Sequence, residues 1–68
     1  MTAKSKIVPL KVAEDDLVAI LVFVAELRLM QDPRYEEYST RADALAVLIA
    51  EALRLDERTV EMPHGLIT

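Results

Sequence analysis

The feature that most constrains this chain is a single short β-prone stretch, Lys6-Ile-Val-Pro-Leu-Lys-Val12, ahead of two long helical patterns. Side chains alternate along a strand, so Val8, Leu10 and Val12 share one face and Ile7, Pro9 and Lys11 the other. Pro9 has no N–H to give a neighbouring strand, so one edge must stay unpaired at that point and the strand cannot be central in a sheet. One strand also cannot make a sheet alone. The simplest partner is the same strand in a second copy of the chain.

Size makes the same demand. A chain of 68 residues buries only about 60% of its unfolded surface, and such chains usually rely on disulfides, a metal or oligomerisation. There is no cysteine, and His64 is the only histidine, so neither a disulfide framework nor a zinc site is available. The composition is nonetheless 53% hydrophobic, which argues against disorder and leaves oligomerisation. No cofactor is expected. Nor is an enzyme: there is little room for a pocket with a supporting shell, Gly65 is the only glycine for a phosphate-binding loop, and His64 has no evident catalytic neighbours.

Residues 14–31 read as the first helix, with Glu14, Asp15 and Asp16 in its first turn, where the helix dipole favours acid. Leu17, Ile20, Leu21, Val24, Leu27 and Met30 or Gln31 follow the helical period, while Val18, Val22 and Phe23 make the segment apolar almost all round. Asp32-Pro33 stops it. After a polar connection over 32–39, a capping-box-like Thr40-Arg-Ala-Asp43 predicts a second helix over 40–55. Its stripe is Ala44, Leu45, Leu48, Ile49, Ala52 and Leu53, thickened by Val47 and Ala50. Arg58-Thr-Val-Glu-Met62 is compatible with a strand, but Pro63-His64-Gly65 favours a loose tail. The expected organisation is an N-terminal arm over 1–5, a domain over 6–55 and a C-terminal tail over 56–68. The longest apolar run, Leu17 to Ala25, is too short for a membrane span, which needs about 20 residues, and no secretory signal is visible; a cytoplasmic location is expected.

The formal charge is −4, unevenly placed. Lys4, Lys6 and Lys11 give the first eleven residues a local +3 with no acid, and the remaining five basic against twelve acidic side chains leave −7. Such asymmetry points to a basic arm.

Two stretches carry a resemblance. Ile7-Val-Pro-Leu-Lys-Val-Ala-Glu-Asp-Asp-Leu17 resembles the strand and acidic helix start of the ribbon-helix-helix family of prokaryotic DNA-binding regulators and antitoxins. Tyr38-Ser-Thr-Arg-Ala-Asp-Ala-Leu45 is similar to that family's entry to its second helix, with Ala42 where serine is usual. The resemblance implies a mainly α, β-α-α intertwined homodimer whose strands pair antiparallel across the two-fold axis. It implies a sequence-specific DNA-binding regulator or antitoxin that lays a β-ribbon in the major groove of double-stranded DNA. Carried over, the groove-facing residues would be Ile7, Pro9 and Lys11, with Lys4 and Lys6 on flanking phosphates. Leu10 and Val12 would face the core. A phosphate would sit on the amides of Thr40, Arg41 and Ala42 at the second helix start, as helix N-termini can hold one.

The residues also keep another class open. Ile7 and Pro9 offer base edges no hydrogen bonds, and Glu36 and Glu37 lie close in sequence to the implied phosphate site. The alternative is a protein-interaction module that oligomerises, to a dimer or a tetramer, and does not bind DNA. Val60, Met62, Leu66 and Ile67 give the tail enough apolar surface either to meet a partner protein or to pack on this chain's own core. Tyr35 and Tyr38 are expected to cap the core edge, Phe23 and Met30 to be buried, and no membrane contact is expected.

Overall fold

The computed structural model describes residues 6–63. The elements run β1 (Lys6–Pro9), α1 (Leu10–Leu29), α2 (Tyr35–Arg54) and β2 (Thr59–Met62). The expected order of strand, helix and helix is present. The strand's partner is β2 of the same chain, paired antiparallel with Lys6 opposite Met62, Ile7 opposite Glu61, Val8 opposite Val60 and Pro9 opposite Thr59. Residues 59–62, expected in a tail, therefore complete the fold. Lys4 and the rest of the arm over 1–5, and the tail residues 64–68 with His64, lie outside the described residues.

Both helices begin earlier than their local signals predict, for a packing reason. Leu10, Ala13, Leu17, Ile20, Val24 and Leu27 recur at alternating steps of three and four, and all are buried or half-buried. That stripe makes residues 10–12 helix rather than strand, so Val12 faces solvent instead of the core and the acids over 14–16 fall in the second turn. Pro9 sits at the N-cap with extended backbone, and the Leu10 N–H, an orphan donor of the first turn, donates to the Arg58 carbonyl (2.9 Å). In α2 the same spacing runs Tyr35, Tyr38, Ala42, Leu45, Ile49 and Ala52. The helix starts at Tyr35, with Glu36 and Glu37 in the first turn, where the dipole favours them. The capping-box reading of Thr40 is corrected: its hydroxyl and that of Ser39 donate back to the Glu36 carbonyl inside the helix.

The helix ends are twins. Gln31 and Asp56 each adopt φ 55°. The Gln31 N–H donates to the Arg28 carbonyl and the Asp32 N–H to that of Leu27; the Asp56 N–H donates to Leu53 and the Glu57 N–H to Ala52. These are Schellman caps with a non-glycine residue in the left-handed position. The α1–α2 turn is then stapled by Asp32 Oδ1, which accepts from the Arg34 N–H (2.8 Å) and Nε (3.1 Å), while Oδ2 accepts from Nη2 (3.0 Å). These bonds hold the Asp32 carboxyl below its ordinary value and raise the Arg34 guanidinium.

One core joins these elements: Val8, Ala13, Leu45, Ile49, Ala52, Val60 and Met62, with Leu10, Leu17, Ile20 and Leu48 packed against it. The sheet covers one side with Val8, Val60 and Met62, leaving its outer face to Ile7, Pro9, Thr59 and Glu61. The molecule is flat, 36 × 31 × 15 Å.

Candidate functional site

The residues expected to meet DNA separate into three places. Ile7 and Pro9 share the exposed outer face of the sheet, across from Glu61 and Thr59. Because Leu10 bonds toward β2, alternation turns the backbone groups of Ile7 and Pro9 to the open edge, where the missing N–H of Pro9 disrupts no pairing. Lys6 is exposed at the start of β1. Lys11 is corrected from the ribbon face to the first turn of α1, where it is exposed.

The amides of Thr40, Arg41 and Ala42 are corrected too. They lie more than a turn inside α2, where each N–H serves the carbonyl four residues back, and Ala42 is buried. Arg41 is engaged within the chain: its Nη2 donates to Glu37 Oε1 (3.1 Å), and its guanidinium lies 5.1 Å from the centre of the Tyr38 ring. Tyr38 in turn meets Phe23 edge-on, ring centres 5.0 Å apart at 85°. Both tyrosines are half-buried at the helix–helix edge, as expected, while Phe23 and Met30 stay partly or largely exposed.

The conspicuous unassigned surface is the outer side of α1. Val18 (59% exposed), Leu21 (50%), Val22 (57%), Ala25 and Leu29 (84%) form a continuous apolar stripe at helical spacing. It adjoins an open groove of about 530 Å³ lined by Leu21, Val24, Ala25, Arg28, Leu29 and Tyr35. Glu14 and Arg28 flank the stripe, exposed and in no ion pair among the described residues. The sequence signal was the excess of Val18 and Val22 over a single apolar stripe. Which stripe would face the core, and that Leu21 belongs to the outer one, needed the start of α1 at Leu10.

Among the described residues no three His, Cys, Asp or Glu side chains group as metal ligands, and no helix is long and apolar enough to cross a membrane. The chain matches no protein-family model, and comparison with curated proteins and with solved structures finds no match.

Proposed function

We propose that this chain is a cytoplasmic protein-interaction module that self-associates, and that its working surface is the outer face of α1. The observation that carries this reading is the exposed stripe Val18, Leu21, Val22, Ala25 and Leu29 on a helix whose opposite face already fills the core. Apolar surface of this continuity marks an interface. The outer sheet face supports the same reading, since Ile7, Pro9, Thr59 and Glu61 supply no cation to phosphates and Glu61 opposes them. Sedimentation velocity over a wide concentration range, paired with a fluorescence titration of random duplex DNA, tests it. Reversible association and no duplex binding at low or physiological salt are expected; a monomer at every concentration that binds duplex overturns it.

A second reading, the DNA-binding dimeric regulator or antitoxin, draws on the strand–helix–helix order and on exposed Lys6 and Lys11. Under it, duplex binding weakens steeply with salt, and Lys6→Ala with Lys11→Ala, which removes four lysines from the dimer, lowers the salt slope by about four. Binding absent even at low salt removes this reading.

A further inference from the structure

We propose that the outer face of α1 is covered by the same face of a second copy, packed antiparallel with the two-fold axis at Leu21, so that Glu14 of each chain meets Arg28 of the other. This rests on the self-association reading and names its partner and register.

Glu14, Val18, Leu21, Ala25 and Arg28 recur at alternating steps of four and three, which is a second heptad seam on α1 beside the one that packs on the core. A heptad step drifts only about 20° around a straight helix, so Glu14, Leu21 and Arg28 form one row on the same flank. Glu14 lies seven residues before Leu21 and Arg28 seven after, each roughly 10 Å away along the axis. A two-fold axis perpendicular to the helix at Leu21 keeps each flank on its own side and exchanges the two ends. It therefore sets Glu14 against Arg28 at both ends, Leu21 against Leu21 at the centre, and Val18 of one chain near the smaller Ala25 of the other.

Alternative packings lose this match. A parallel copy places Glu14 beside Glu14 and Arg28 beside Arg28. Asp15 and Glu26, on the other flank, face like charge in either direction, so they do not choose between the two; they sit farther round the helix, at the rim. Antiparallel packing also opposes the two helix dipoles favourably. The groove along Leu21, Ala25 and Arg28 gives the second copy's side chains a seat beside Tyr35.

The absence of native cysteine makes the register directly testable. Single variants L21C, L29C and I7C of the full chain are oxidised mildly, and covalent dimer is measured beside sedimentation of the reduced chains. L21C is expected to cross-link readily. L29C is expected not to, because its two copies would stand about 24 Å apart along the axis. Charge reversal adds a second arm: E14R or R28E alone is expected to weaken association about tenfold, and the pair together to restore it to within about threefold. All five positions are exposed, and far-UV circular dichroism checks that each variant folds. Equal cross-linking at L21C and L29C means a parallel pair and overturns the proposal. An associating chain that cross-links through I7C but not L21C places the dimer at the sheet edge; it overturns this inference and, with it, the assignment of the working surface, but leaves self-association standing. A chain that stays monomeric overturns both.

Discussion

The two helices are alike on the inside and unlike on the outside. Each has 20 residues, each buries a stripe at alternating steps of three and four, and each ends in the same left-handed cap. On the far side, α2 presents Glu36, Thr40, Asp43, Val47, Ala50 and Arg54, a mostly polar row in which Val47 is a lone large apolar side chain. The row of α1 at the same positions is Lys11, Asp15, Val18, Val22, Ala25 and Leu29, charged only at its N-terminal end and apolar over its last four members. A polar outer row is what a surface helix needs to end the protein there; a second apolar seam is what a helix needs to be packed from both sides. The hairpin explains all of α2 and only half of α1.

The contrast can be broken by substitution. Leu45→Ala, on the inner row of α2 at 0% exposure, is expected to cost about 3 kcal/mol in urea unfolding at any protein concentration. Leu21→Gln, on the outer row of α1, is expected to change the stability of the isolated chain by less than about 0.5 kcal/mol. It should instead abolish the rise of the unfolding midpoint with protein concentration that association produces. Should Leu21→Gln cost as much as Leu45→Ala at every concentration, the two faces of α1 are not distinct. The caps should give smaller effects. Gln31→Gly is expected to stabilise by about 0.5 kcal/mol, the left-handed strain relieved less the entropy of glycine. Asp56→Gly should gain less, because aspartate tolerates that conformation better than glutamine does; thermal melts of the two variants rank them.

The α1–α2 turn makes an acid-side prediction. The Asp32 carboxyl is held below its ordinary value of 3.8 by the Arg34 side chain and N–H, so its charged form is favoured in the folded state. The stabilisation is fully present above 3.8 and is lost as pH falls through the depressed folded value. A chemical-shift titration of Asp32 should give a midpoint under 3.8, and Arg34→Ala should move it back up.

Much of the fold was legible, and the errors have a common cause. Both inner stripes are written in the sequence, but the eye is drawn to local start signals: the acids over 14–16 and the Thr40–Asp43 pattern. Partial burial of Leu10, Tyr35 and Tyr38, together with the whole stripes they extend, outweighs these, because a cap contributes only about 1 kcal/mol. The alternation of Thr59, Val60, Glu61 and Met62 was visible as a strand pattern, yet its partner lies at the other end of the chain and no local signal reports that. The excess of apolar residues on α1 was also visible. Its orientation was not, since a helix start shifted by four residues changes which residues are read as core.

The pairing of β1 with β2 has a topological consequence. Lys6 and Met62 are cross-strand partners, roughly 5 Å apart, at opposite ends of the described chain. A short peptide link between them would make a ring whose shape the fold already has, and closing the backbone there would remove the largest loop entropy the chain must overcome. The ring could then be opened between α1 and α2, giving a permuted chain in which the strands form a local hairpin and the helices meet last. Comparing its folding rate with that of the native order would show whether the sheet or the helix pair is made first.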